Sequence, residues 1–392
     1  MVSVDQLMES RRLVLEWLLR TQVTDSAHVN YGGFYRQFLY PKQMRYNNSS
    51  FTECVGMVMN TLCQCYVEDK DARILKALKL GADNYLKECQ YAGSDPNIHG
   101  AISDSHGDPV TPESYYSFNN AEAMRALVRL YRITGERRYL QMATAHADWL
   151  VNVMLNPDGS YLTNYSQGMF NNPKVWNGNY THQARVAWSL LEVWKDTQGE
   201  THREGAIRTL EWVLSKQHAN GWFELCGNVA EFEMYCTEGL YYGGKILKNA
   251  RYQEAAKKTI DAFCKVQQVM PGNFHFLYDY RWEPCPTDGV MDRMGVNLQF
   301  ASLCYKLFLD TGDDRYLRAA DACLEYVYRH QYRDSEDPRI LGAIPEYTTW
   351  GKNRPEDEDL STFSARFYLD AVDVRLDIFR GVKEYQDIHG MV

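Results

Sequence analysis

Gln217-His218-Ala219-Asn220-Gly221-Trp222-Phe223 is the stretch on which the fold turns. A helical pattern ends on a glutamine, a short polar segment follows, and a glycine stands beside an aromatic or small apolar residue before the next helix. The phrase recurs along the chain. Its other instances run from Gln22 to Gly33-Phe34, from Gln90 to Gly100-Ala101-Ile102, through Asp158-Gly159-Ser160-Tyr161, from Gln268 to Gly272-Asn273-Phe274 and from Gln331 to Gly342-Ala343-Ile344. Gly33 and Gly342 lie 309 residues apart, five intervals of about 62 residues, and such a period fits a pair of helices with its loops.

The helices around each phrase fall into two kinds. From Arg315 to Gln331, Ala320, Cys323, Leu324 and Val327 form an apolar face opposite Arg318, Asp321, Glu325 and Arg329, the pattern of a helix with one side in water. The segment Val296 to Leu309 is apolar nearly all round, as in large part are Met57 to Tyr66 and Ala184 to Trp194, so these helices are buried on both sides. Two turns, Thr134-Gly135-Glu136 and Thr311-Gly312-Asp313, lead from a buried helix into the next amphipathic one, glycine stopping the first and an acidic residue starting the second. Six such alternations predict two concentric rings of helices, an all-α (α/α)6 barrel whose inner ring lines a central cavity.

A length of 392 residues alone suggests two or three domains. The repeat and the lack of any compositional break instead predict one domain over residues 1–392, with Ser335 to Asp359 as a rim loop. A net charge of -9 without a basic run gives no electrostatic basis for nucleic-acid binding. No apolar run is long enough for a membrane span. The N-terminal residues, with Asp5, Glu9, Arg11 and Arg12 before any apolar run, lack a signal-peptide layout, and a cytoplasmic location is expected. Ten scattered cysteines suggest reduced thiols, and Cys63 and Cys65 lack a matching zinc-spaced pair. No metal or cofactor is expected.

Over nearly its whole length the sequence resembles the (α/α)6-barrel proteins that process glycans: unsaturated-uronyl hydrolases, uronate-specific polysaccharide lyases, uronyl epimerases and sugar 2-epimerases. The six glycine phrases and the two turns that continue into Tyr139-Leu140 and Tyr316-Leu317 carry the resemblance. Trp176-Asn177-Gly178-Asn179-Tyr180 echoes a Trp-x-Arg-Gly-x-x-Trp phrase of the unsaturated-uronyl hydrolases, with Asn177 in place of arginine. The segment Gln268 to Phe274 also looks like the repeat of triterpene cyclases. Cys236-Thr237-Glu238-Gly239 echoes part of their acid motif, but Tyr235 occupies the place of the proton-donating aspartate.

The resemblance implies an oligosaccharide substrate and restricts the site to the inner-helix starts and the loops before them. Tyr116, Asn120, Trp176, Trp222, Trp282 and Trp350 are the stacking and hydrogen-bonding candidates, since sugar rings stack on aromatic faces and hydroxyls need fixed partners. Packing between helices is the competing role for any one aromatic. A hydrolase needs two carboxyl groups in opposite protonation states. Glu238 and Asp292 are the expected pair, with Asp288 and Glu53 in reserve and Arg293 nearby. Their competing roles are helix caps and ion pairs. A lyase or epimerase instead needs a base beside a uronate carboxylate and groups that neutralise it. Asn179, Tyr180, His182 and Arg185 supply those types within seven residues. A cavity poor in carboxylates would favour an isoprenoid cyclase or a binding barrel without catalysis.

Overall fold

Six outer helices alternate with six inner ones in the computed structural model, which describes residues 2–47, 51–104, 113–175, 180–267, 272–287, 289, 291–350 and 352–382. In chain order they are α1 (Val4–Arg20), α2 (Thr52–Asp69), α3 (Ala72–Leu80) with its extension α4 (Lys87–Cys89), α5 (Ser117–Thr134), α6 (Arg137–Trp149), α7 (Ala184–Thr197), α8 (Glu200–Ser215), α9 (Ala230–Leu247), α10 (Ala250–Gln267), α11 (Met294–Thr311), α12 (Asp314–His330) and α13 (Thr362–Phe379). A π-helical turn at Gly81–Leu86 carries α3 into α4. The inner helices form a closed ring, α2 against α5, then α7, α9, α11 and α13, which packs back on α2. This is the (α/α)6 barrel that the periodicity predicts.

The two kinds of helix follow from their side chains. α11 is buried continuously from Met294 to Leu307. α12 buries Tyr316, Ala319, Ala320, Cys323, Leu324 and Val327 on one face and leaves its charged residues outside. Gly135 and Gly312 end α5 and α11 in the left-handed conformation, and Asp313 caps α12 by accepting from the Arg315 backbone N–H. Among the described residues no helix is long and apolar enough to cross a membrane.

The glycine phrases are the joints between units. Each of Gly32, Gly100, Gly159, Gly221, Gly272 and Gly342 has a positive φ and sits against a backbone carbonyl of the next outer helix. In the first unit the joint is Gly32, one residue before the Gly33 of the sequence pattern, which puts buried Phe34 in the place of Ile102 and Phe223. The glutamines reinforce the joints. Gln22 Nε2 donates to Ala77 O at 2.8 Å, Gln217 Nε2 to Ala255 O at 2.8 Å and Gln267 Nε2 to Ala319 O at 2.8 Å. Gln267, not Gln268, makes the fifth joint; Gln268 lies outside the described residues. The sixth joint closes the circle, because Gly342 abuts Leu13 of α1 and Gln331 Nε2 donates to Ser10 O at 3.2 Å.

Two small antiparallel sheets, which the sequence pattern does not predict, sit in the loops that lead into the inner helices. One has the order β2-β1-β6, from β1 (Gln37–Tyr40), β2 (Arg45–Tyr46) and β6 (Glu358–Ser361). The other has the order β3-β4-β5, from β3 (Ser114–Tyr116), β4 (Asn164–Ser166) and β5 (Met169–Phe170). Pairing of Gln37 with Ser361 and of Tyr40 with Glu358 ties the first unit to the last.

The joints predict a contrast between glycines. A Cβ at Gly342, at φ +92°, would overlap the Leu13 carbonyl, whereas at Gly135, at φ +70°, it would meet nothing within 4 Å. Gly342→Ala is expected to cost about 3 kcal/mol or more and Gly135→Ala about 1 kcal/mol. Urea denaturation of the two variants, with the wild type alongside, measures the difference.

Candidate functional site

The inner-helix starts converge on one cavity of about 270 Å³, and every unit contributes to it. The first unit supplies Arg36, Phe51 and Glu53, and the second Asp104, Tyr116, Phe118 and Asn119. His182 comes from the short 3-10 turn before α7, Glu231, Phe232 and Tyr235 from the first turns of α9, Arg293 from the start of α11 and Phe363 from that of α13. Aromatic faces, carboxyl groups and two guanidinium groups thus line one cavity.

The two arginines differ in how firmly they are held. Arg293 is clamped by Glu231 and by Glu346, the latter at 2.6 Å. Arg36 approaches Glu346 only to 3.8 Å and keeps about a third of its side chain exposed, at 32%. Its Nε is buried without a hydrogen-bond acceptor, and its guanidinium lies 5.9 Å from the Phe51 ring centre and 5.3 Å from that of Phe363. Arg36 is therefore a cation with hydrogen-bonding capacity to spare, aimed by two aromatic rings.

The carboxyl groups beside it are poised at different pH values. Burial pushes Glu53 up to about 8, and the like charges of Asp104 and Glu231 add to it against the pull of Arg36. Burial raises Asp104 to about 6, although Asn119 Nδ2 donates to it at 2.6 Å. His182 moves the other way, down to about 3, because burial and then the Arg185 charge disfavour its protonated form. The Tyr235 hydroxyl donates to Glu231 Oε1 at 2.9 Å, and burial holds its pKa well above the ordinary tyrosine value. The Arg185 guanidinium lies 4.7 Å from the Tyr235 ring centre. Among the described residues no group of three His, Cys, Asp or Glu is placed to hold a metal ion.

Of the residues expected from the sequence, His182, Tyr116 and Arg293 line this cavity, as does the reserve Glu53. Tyr180 stands behind His182, ring centres 5.4 Å apart. Asn120 is turned inward, accepting from the Ile102 N–H at 2.7 Å and donating to Ile102 O and Tyr116 O, so it fastens the second glycine phrase. Arg185 and Glu238 do not line it; they lie one layer deeper, paired at 2.9 Å, with Arg185 also on Glu122 at 2.9 Å and its guanidinium against the Phe118 and Tyr235 rings that do. Asp292 does not face Glu238 across the cavity. It is fully buried and accepts from the Thr348 and Thr349 N–H groups at 2.9 Å each, from Asn273 Nδ2 at 3.0 Å and from the Thr348 hydroxyl, a staple that holds the rim loop after Ile344. Trp222 packs edge-on to His218, Trp282 donates to Asn220 O in a separate outer groove, and Trp350 lies edge-on to Tyr347. Trp176, Asn179 and Asp288 lie outside the described residues.

The sequence pattern misses the aromatic cavity residues Phe51, Phe118, Phe232 and Phe363 and, among the charged ones, Arg36 and Asp104. Arg36 and Asp104 each stand four residues after the joint glycine, Gly32 or Gly100, as does Glu346 after Gly342. Counted from the correct glycine, that position marks three of the charged groups around the cavity.

A closed (α/α)6 barrel with a carboxylate- and arginine-lined cavity at its inner-helix starts belongs among the carbohydrate-processing enzymes of this fold. The chain is a member of the family described as the ulvan lyase N-terminal domain, whose model matches residues 83–279. No curated protein sequence matches it. Among solved structures it is similar to a D-mannose isomerase (TM-score 0.74, 15% identity, 97% of this chain and 99% of that one). It is also similar to a sugar epimerase from a ruminal bacterium (TM-score 0.73, 13% identity, 94% and 98%) and to an unsaturated glucuronyl hydrolase specific for heparin (TM-score 0.70, 14% identity, 98% and 100%). At these identities the shared property is the fold.

The Asp292 staple predicts a structural phenotype. Asp292→Ala leaves several buried donors without an acceptor and is expected to cost about 3 kcal/mol or more, and Asp292→Asn about half as much. Thermal melting of the two variants checks the order.

Proposed function

We propose that the protein cleaves a uronate-containing glycan by β-elimination in the six-unit cavity. The observation that carries this reading is Arg36, a guanidinium held between Phe51 and Phe363 with its nearest carboxylate at 3.8 Å. A substrate carboxylate fits it as a bidentate partner. Membership of a family described as a lyase domain supports the same chemistry. The carboxylate-rich wall weighs against an isoprenoid cyclase.

In this reading Arg36 neutralises the uronate carboxylate, which makes the proton on the adjacent ring carbon C5 removable. Glu53, with a pKa of about 8, is in its ionised form a strong carboxylate base matched to mildly alkaline pH. It takes the C5 proton. The C5–H electrons form the C4=C5 double bond as the C4–O bond breaks, and the departing oxygen takes the Tyr235 hydroxyl proton. Arg185 and Arg293 face the tyrosinate that results. His182, neutral down to about pH 3, contributes a hydrogen bond without competing for the proton.

Hydrolysis is the second reading, and one observation favours it. Glu53 and Asp104 share the cavity with pKa values of about 8 and 6, so between those values one is protonated and the other ionised, the states that an acid and base pair requires.

The two readings part on pH and product. Elimination yields a conjugated unsaturated uronate with a new ultraviolet absorption, and its kcat/KM rises with pH to a plateau above about 8 as Glu53 ionises. Hydrolysis yields reducing ends without that absorption and a bell between about 6 and 8. Incubation with acidic polysaccharides and oligosaccharides, read by absorbance and reducing-end assay across pH 5–10, separates them. On the elimination reading Glu53→Gln lowers kcat by about 10²–10⁴-fold. Arg36→Ala lowers kcat/KM by about 10²-fold or more, with part of the loss in KM.

A further inference from the structure

Beneath the floor of the catalytic cavity the barrel axis holds a second, much smaller space of about 30 Å³. It is enclosed by the middle turns of the inner helices. Five cations border it: Arg125 and Arg129 of α5, Arg185 of α7, Lys306 of α11 and Arg366 of α13. The carboxylates facing them are fewer. Glu122 binds Arg125 at 2.5 Å and Arg185 at 2.9 Å, Glu238 binds Arg185 at 2.9 Å, and Asp370 reaches Arg366 only at 3.4 Å. Glu192 is engaged elsewhere, with Arg132 at 2.6 Å.

Arg125 and Arg366 are under-satisfied, whereas the Arg185 Nε and Nη1 atoms, although they make no well-aligned hydrogen bond, are ion-paired at 2.9 Å with Glu122 and Glu238. Arg125 and Arg366 are 1% and 3% exposed, yet Arg125 Nε and Nη1 and Arg366 Nε and Nη2 have no acceptor. A buried guanidinium N–H without an acceptor is costly, and a buried unbalanced charge more so. Aromatic faces hold both groups in place, Trp188 at 3.8 Å from the Arg125 guanidinium and Phe367 at 3.3 Å from that of Arg366, but a ring face satisfies no in-plane donor. Burial first, and the neighbouring arginines after it, push Arg125 down to about 9 and lower Arg366 as well.

We propose that this axial space is a binding site for one small inorganic anion of halide size, held between the acceptor-less guanidinium groups of Arg125 and Arg366. The space admits one or two water-sized particles, which suits chloride or bromide and leaves no room for sulfate or a sugar carboxylate. The ion supplies the missing acceptor and one negative charge where cations outnumber carboxylates. Its influence reaches the catalytic cavity, because Arg125 shares Glu122 with Arg185, which lies under His182 and Tyr235.

The test uses the intact protein at fixed pH and ionic strength, with sodium gluconate exchanged stepwise for sodium chloride or bromide. A saturable rise in Tm of about 2–6 °C with either halide over gluconate is expected, as for any ligand bound only by the folded state. Arg366→Met removes one cation at similar volume, so the variant is expected to lose the halide response and to melt above wild type in gluconate. Wild-type crystals grown in bromide are expected to show an anomalous peak between Arg125 and Arg366, a result that does not depend on how the variant folds. A halide effect without saturation, a response retained by Arg366→Met, or crystals without bromide in the axial space would overturn the proposal.

Discussion

Everything in this barrel depends on a backbone-to-backbone contact made six times, a glycine at positive φ pressed against a carbonyl of the next outer helix. No side chain could stand there without pushing the helices apart. The contact sets the distance and angle between successive outer helices, and buried Phe34, Ile102, Tyr161, Phe223, Phe274 and Ile344, each two residues after its glycine, then wedge between the layers. With that geometry repeated, the inner helices have no freedom but to form a ring, and their starts must meet around one opening.

That repeat was legible in the sequence because glycine spacing and apolar periodicity are local properties. The six units, the two layers and the left-handed turns at Gly135 and Gly312 could all be read from it. Small register errors had larger consequences. Two adjacent glycines, Gly32 and Gly33, leave the joint of the first unit ambiguous in the sequence, and the shared offset of Arg36, Asp104 and Glu346 shows only when Gly32 is the joint. Carboxylates near inner-helix starts look alike in a sequence, yet Asp292 turns outward to Thr348 and Thr349 while Glu53 faces the cavity. The rim loop on which that orientation depends comes from more than fifty residues further along the chain. The rim strands were illegible for a related reason: β1 and β6 pair with each other across the 317 residues of chain between Tyr40 and Glu358.

Charge is arranged along the barrel axis in layers. In the outermost layer Arg36, Arg293, Glu53, Asp104 and Glu231 line the cavity, with buried Glu346 behind the two arginines. One layer down, Arg185 is balanced by Glu122 and Glu238. Below that, positive charge predominates. Helices buried on all sides carry these groups at the cost of desolvating them, and the layering limits that cost by pairing ions across neighbouring helices. The same stack explains the opposite displacements of Glu53 and His182. Both are buried, but burial raises an acid and lowers a base.

The strand pairing between Gln37–Tyr40 and Glu358–Ser361 has a consequence for the order in which the protein matures. Arg36, Phe51 and Glu53 come from the first unit, but Phe363 and Glu346, which also hold Arg36, lie more than 300 residues further along the chain. A nascent chain therefore carries Arg36 and the strongly perturbed Glu53 carboxyl through five units of synthesis with no cavity around them. The ring gains a floor, a wall and a working electrostatic field together when the sixth unit docks on α1, so an unfinished or truncated chain has no catalytic intermediate form.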